Sequence, residues 1–297
     1  MVDPERNLNT GFLLGLVTHL KMEQGKPQTR ASSVPQKESE TPFGAQQGKY
    51  LYCVIKEKSP QKFNILGQEG KEVYTINKGN LAIVVSDTSK EEYSFIKEHL
   101  TCHQRVIEEV MREGYDVLPA RFGTVAESEE DIREKILKAK RKELLETFPI
   151  VEGRVELGLR ALWKDMPNIF QEIVTENREI QIAKKEAQRN PHQFKVAGVG
   201  ELVQKALDAK REREAQKILS SLKELGVDFK ERELLRNRDT MKDSMILSSA
   251  FLVPKKNEKE FDKTVRALIK KHDKRIKFIY MGPIPPFNFV ELHLIVS

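Results

Sequence analysis

The chain has 297 residues, long for one compact domain and comfortable for two, each with its own core. It is 39% hydrophobic and 32% charged, which is globular but charge-rich and suits long solvated helices or an interaction surface. The 51 basic and 45 acidic residues leave a net charge of +6, a mild bias toward acidic partners; interleaved Lys/Glu runs neutralise phosphates poorly from one face, and the charge does not decide the function.

Two cysteines, Cys53 and Cys102, make no disulfide framework and read as free thiols in a reducing cytosol. No run approaches the roughly 18–20 apolar residues of a membrane span. The longest apolar stretch, Gly11–Leu20, has the length of a signal-peptide core, yet Asp3 and Glu5 beside Arg6 replace the basic segment such a leader needs. The chain is therefore read as cytoplasmic. Residues 1–48 form an N-terminal extension and linker, read as disordered. Pro27, Pro35 and Pro42 lie there among Ser, Gln, Lys and Glu, with too little apolar surface to offset ordering. Within it, Leu13, Leu16, Val17 and Leu20 share one side of a helical projection. That segment docks either on its own protein or on a partner.

The first domain, 49–149, is expected to be α+β and modified ferredoxin-like. Tyr50–Lys56, Glu72–Ile76 and Leu81–Ser86 read as strands, with Asn77-Lys78-Gly79-Asn80 as hairpin turn. A helix is expected over Lys90–Arg112 with Ile96, Leu100, Ile107 and Val110 inward, ended by Gly114. Val117–Val125 reads as a strand broken by Pro119, hence an edge or a bulge. Ser128 caps a helix that runs to Phe148, where Pro149 ends it. Both helices are expected on one face of the sheet.

The second domain, 150–297, opens with period-two apolar residues over Val151–Trp163, a half-buried strand. Helices follow over Asn168–Gln188 and Glu201–Leu225. Between the apolar ends of the latter, Lys210-Arg211-Glu212-Arg213-Glu214 is charged all round and reads as solvated. A loop at Arg232–Arg238, a strand over Ser244–Val253, a helix over Glu258–His272, and strands over Arg275–Tyr280 and Phe289–Val296 complete it. The fold class is thus α+β, two ferredoxin-like lobes linked by long helices.

Catalysis has no foothold: no G-x-S-x-G, HExxH or Walker-type sequence occurs. The chain is read as no enzyme, without cofactor or metal. His99 and His103 lie four apart on one helix, but His103 falls on the apolar stripe and reads as a core histidine bonded to backbone. Arg121, between Ala120 and Phe122, either pairs with Glu109 or Glu113 or anchors a partner. Gly282-Pro283-Ile284-Pro285-Pro286-Phe287 is either a rigid corner or a proline ledge with aromatic anchors. The candidate partner-binding residues are therefore Arg121, Phe122, Gly123, Pro283, Pro285, Pro286 and Phe287.

Two of these stretches, VLPARFGTV (117–125) and GPIPPFNFV (282–290), stand in order with the strand KYLYCVI (49–55), the His103 helix and the strand AFLV (250–253). That ordered set resembles the gas vesicle accessory proteins of the GvpF/GvpL family, from about Lys49 to Val290. The resemblance implies two α+β lobes joined by helices and an assembly protein for gas vesicles. It implies partners too, the small hydrophobic shell protein and other gas vesicle accessory proteins. A monomeric subunit of a gas-facing wall exposes apolar area and aggregates, so a binder that covers it in a groove or at a sheet edge needs no chemistry. The alternative is a nucleic-acid-binding protein that stacks bases on Tyr50 and Tyr52, two residues apart on one strand of a ferredoxin-like sheet.

Overall fold

A computed structural model of the chain describes residues 48–189, 196–223, 225, 228–231, 244–290, 292 and 294. The N-terminal extension and the loop expected at 232–238 lie outside them. The described residues divide into two compact units, one drawn from 48–156 and 283–294, the other from 157–282.

In the first unit β1 is Gly48–Ile55, β2 Lys62–Leu66, β3 Glu72–Lys78 and β4 Leu81–Thr88. Helix α1 is Lys97–Arg112, β5 is Val117–Pro119 and β6 is Val125–Ala126. Ile132–Lys138 follows as a π-helix and Arg141–Val151 as α2. The sheet runs β2-β3-β4-β1-β5, and β6 also pairs with β1. The order β5-β1-β4-β3 is that of a ferredoxin-like sheet, with β2 standing where the first crossover helix would be.

The apolar run of β1 is covered on both sides. A bulge lies between Leu51 and Cys53 in the pairing with β4. Alternation is inverted there: Tyr50, Tyr52, Cys53 and Ile55 join the cluster under α1, while Leu51 and Val54 join the opposite cluster. That opposite cluster takes Ile132, Ile136, Leu144 and Phe148 from the π-helix and α2. The two helical segments expected on one face therefore lie on opposite faces. A strand with six consecutive apolar residues carries that signal, since half-buried strands alternate.

Other departures have local causes. Helix α1 begins seven residues later than expected, leaving Ile96 exposed, because Tyr93 is drawn into the core and bonds the Thr88 hydroxyl at 2.7 Å and Glu69 at 2.6 Å. Pro149 lies inside the last turn of α2, where buried Phe148 and Val151 hold the backbone. Ser128 does cap its helix, accepting from Asp131 N at 3.1 Å. Pro119 sits in β5, at the end of the sheet, as its missing donor requires.

The second unit contains β7 (Arg154–Trp163), α3 (Met166–Glu176), α4 (Arg178–Arg189) and α5 (Val196–Lys223). Then come β8 (Asp228–Glu231), β9 (Met245–Pro254), α6 (Glu258–His272) and β10 (Ile276–Ile284). The order β10-β7-β9-β8 is again the ferredoxin-like one. It is completed by β8, which the sequence reading missed; the strand expected at 289–296 lies partly outside the described residues. Phe289 lies in a turn, although Val290, Leu292 and Leu294 alternate into the first unit's core as their period suggests. The helix expected over 168–188 breaks at Asn177, whose amide bonds Ile173 O at 2.6 Å.

The charged stretch of α5 is not all solvated. Lys210 is 6% exposed and bonds Glu176 at 2.8 Å and Glu172 at 3.0 Å. Arg275 grips Glu172 with both terminal nitrogens and reaches Glu214 at 2.9 Å, and Glu214 also accepts from Trp163 Nε1 at 2.6 Å. Lys210 and Glu214, one helical turn apart, thus turn inward and fasten α5 to α3, β7 and the start of β10. Arg275, against burial and with help from Lys210, holds the Glu172 carboxyl down to about 2.

Two substitutions test this packing. A Cβ on Gly67 would meet the buried Tyr52 hydroxyl at 2.3 Å and Ser86 Oγ at 2.9 Å, so Gly67→Ala is expected to cost about 1–3 kcal/mol in urea unfolding. Tyr52→Phe in the same chain should restore part of the loss. Glu172→Ala sets Lys210 against Arg275, and with allowance for the acid's partial exposure the expected loss is about 2 kcal/mol, diminishing in high salt.

Candidate functional site

The site is built outward from His103. Leu100, His103, Val106 and Ile107 face the sheet from α1, and the imidazole is buried. Its Nε2 lies 3.2 Å from the Ala120 carbonyl, an acceptor only, so Nε2 carries the proton. Nδ1, 3.0 Å from the Tyr50 hydroxyl, then accepts from it. The Tyr50 oxygen in turn accepts from Gly123 N at 3.1 Å. One hydrogen-bonded chain therefore joins α1, β1 and the turn between β5 and β6.

That turn explains its own sequence. The Arg121 carbonyl accepts from Thr124 N at 3.2 Å and Thr124 Oγ1 at 2.7 Å. Gly123 has φ +78°, at the turn position where a side chain would be strained. Phe122 packs edge-on to His103 with ring centres 5.7 Å apart, and Phe95 tilts against Phe122 at 5.1 Å. Glu109, one of the two acids expected near Arg121, is bridged by Arg112 on its own helix.

The second motif arrives at the same histidine. Beyond β10 the chain turns at 287–289, with Val290 N bonded to Pro286 O at 3.1 Å. Buried Glu156 grips that turn, accepting from Asn288 N at 3.0 Å and from the Asn288 side-chain amide. Phe287 is thereby set with its ring centre 6.1 Å from that of His103. Of the seven candidates, Phe122, Pro285 and Pro286 are buried, Arg121, Gly123 and Phe287 half-buried, and Pro283 exposed. Tyr50 and Tyr52 lie wholly beneath α1, so they offer no platform on which a base could stack.

Another feature escaped the sequence reading. A groove of about 270 Å³ on the outer side of α1 is lined by Leu66, Lys97, Glu98, Thr101, Cys102 and Arg105. Lys97, Thr101 and Arg105 follow the four-residue period of one helix face, but the neighbouring wall is β2, a strand that was not expected. Among the described residues no three His, Cys, Asp or Glu side chains gather as a metal site, and His99 Nδ1 lies 3.2 Å from the Ser94 carbonyl. No described helix is long and apolar enough to cross a membrane.

Comparison with known proteins is consistent across sequence and structure. The family described as Gas vesicle synthesis protein GvpL/GvpF matches residues 48–291. Gas vesicle protein F of Nostoc sp. is 25% identical over 247 residues, 82% of this chain and 98% of that one. A crystal structure of GvpF from an Anabaena species aligns with a TM-score of 0.68 at 25% identity, covering 83% of this chain and 97% of the other. GvpF from Microcystis aeruginosa aligns with a TM-score of 0.69 at 24% identity, covering 82% and 99%.

Burial keeps His103 neutral: it pushes the imidazole down to about 4, against the small upward pull of the Ala120 carbonyl. Unfolded, the same ring takes a proton near pH 6.5. The stability contributed by the neutral ring is therefore present above pH 6.5 and is lost as pH falls toward 4, by at most about 1.4 kcal/mol per pH unit. His103→Gln can donate to Ala120 and accept from Tyr50 without titrating. Urea midpoints between pH 7.5 and 4.5 are expected to fall more steeply for the native chain than for this variant, and parallel curves would contradict the assignment.

Proposed function

Because the chain belongs to the gas vesicle synthesis protein GvpL/GvpF family, we propose that it serves gas vesicle assembly by binding the small, hydrophobic shell protein and limiting its aggregation. The observation that supports this reading is the packing of Phe122 and Phe287, from two distant motifs, against buried His103, which fixes the more exposed residues beside them in place. Phe122, Gly123, Pro285 and Pro286 set the shape of this surface, exposed Pro283 and half-buried Phe287 supply accessible groups, and Arg121 lies half-buried among them. Such a surface loses little conformational entropy when it covers an apolar segment, and Arg121 is suited to a carboxylate or to carbonyls at the segment's end. The protein acts without making bonds, in the cytoplasm and on the growing vesicle, alongside other gas vesicle accessory proteins.

Co-expression with the shell protein, followed by pull-down and light scattering, tests the reading. The shell protein is expected to co-purify and to stay dispersed for longer. Arg121→Glu and Phe287→Ala, checked for unchanged melting, should each weaken retention by about tenfold, equal to about 1.4 kcal/mol. A shell protein that neither co-purifies nor remains dispersed removes the proposal.

A further inference from the structure

We propose that the groove between β2 and α1 is a docking site whose occupant is the apolar run Gly11–Leu20 of this same chain. The groove presents unusual apolar surface for a folded unit. Leu66 is 63% exposed on β2, at the open end of the sheet, and Ile96, next to groove-lining Lys97, is 42% exposed. Leu66 is the one large apolar side chain of the lining, with Ile96 exposed next to it in sequence at Lys97, and exposed apolar groups beside a concavity favour an apolar occupant.

The path of the chain selects the occupant. Gly48, where β1 begins, pairs with Thr88. The Thr88 hydroxyl donates to Glu69 at 2.6 Å, and the neighbouring Gln68 side chain donates to the His99 carbonyl at 2.7 Å. Leu66 is two residues upstream of Gln68, and Glu98 lines the groove beside His99. The extension therefore leaves the sheet at the same end as the groove. A random coil of 27 residues, the number from Lys21 to Gln47, has a typical end-to-end distance of about 25–30 Å. A tether of that length holds its ligand at an effective concentration on the order of millimolar.

The chemistry fits as well. In a helical projection of the sequence Leu13, Leu16, Val17 and Leu20 share one side, and Gly11–Leu20 contains no Lys, Arg, Asp or Glu. It can lie against the mixed rim of Lys97, Glu98 and Arg105 without burying a charge of its own. The groove takes side chains, not a whole helix, so this is a tethered plug that a stronger apolar partner can displace. The family match begins at residue 48, so the plug is an addition to the shared scaffold.

Cys102 lines the groove and is half-buried, whereas Cys53 is fully buried, so the native thiol reports occupancy with no introduced cysteine. In the full-length chain, Leu13→Asp with Leu16→Asp is expected to raise the rate of maleimide labelling at Cys102 about tenfold, with melting unchanged. Leu66→Asp should raise the same rate and also speed amide exchange across residues 11–20. Rates that stay at the native value in both variants overturn the proposal. A native rate that climbs on dilution also overturns it, by making the occupant a second copy. No shell protein is present in these measurements, so their outcome is read apart from the function proposed above.

Discussion

A single buried imidazole with both nitrogens committed governs the first unit. Its Nε2–H is spent on the Ala120 carbonyl and its Nδ1 on the Tyr50 hydroxyl, whose oxygen holds Gly123 N. Each partner comes from a different element, so the tautomer, the tilt of α1 and the β5–β6 turn are one linked choice. In a water-free interior an unmatched donor or acceptor costs about 1–3 kcal/mol, which makes this geometry the one with all members satisfied. Around it Tyr52, Phe122 and Phe287 pack against the ring, so the hydrogen-bonded chain and the aromatic cluster support each other.

The second unit is fastened differently. Where the first uses a neutral aromatic cluster, the second draws Lys210, Arg275, Glu172, Glu176 and Glu214 into one partly buried ionic network. Arg211 adds to it with its guanidinium 6.0 Å from the Trp163 ring and Nε bonded to Met245 O at 2.8 Å. Such networks contribute less net stability than their number of contacts suggests, but they penalise misplaced helices strongly. Both sheets share the ferredoxin-like strand order, so the contrast lies in side chains and not in topology.

In the proposed function, the meeting of the two motifs matters more than either alone. VLPARFGTV and GPIPPFNFV are both brought against one histidine by α1, by the Glu156 grip on the Asn288 turn and by β1. The gas vesicle role carried by the family is coherent with a protein whose distinctive sequence is spent on shape. Several of its characteristic residues face inward, and only a few of their neighbours remain available to a partner.

The sequence by itself determined most strands and helices, the core role of His103 and the family, because these depend on periodicity, turn chemistry and local composition. It misplaced the start of α1, missed β2 and β8, and took Lys210 and Glu214 for solvated residues. In each case a distant group decided: Glu69 and Thr88 for Tyr93, neighbouring strands for the two short ones, and Glu172, Glu176, Arg275 and Trp163 for the inward charges. Short strands and buried ions have no local signature, since hydrogen bonds and charge pairs between residues far apart in the chain form only once the elements are packed. Where Phe287 meets His103 was for the same reason a matter for tertiary structure alone.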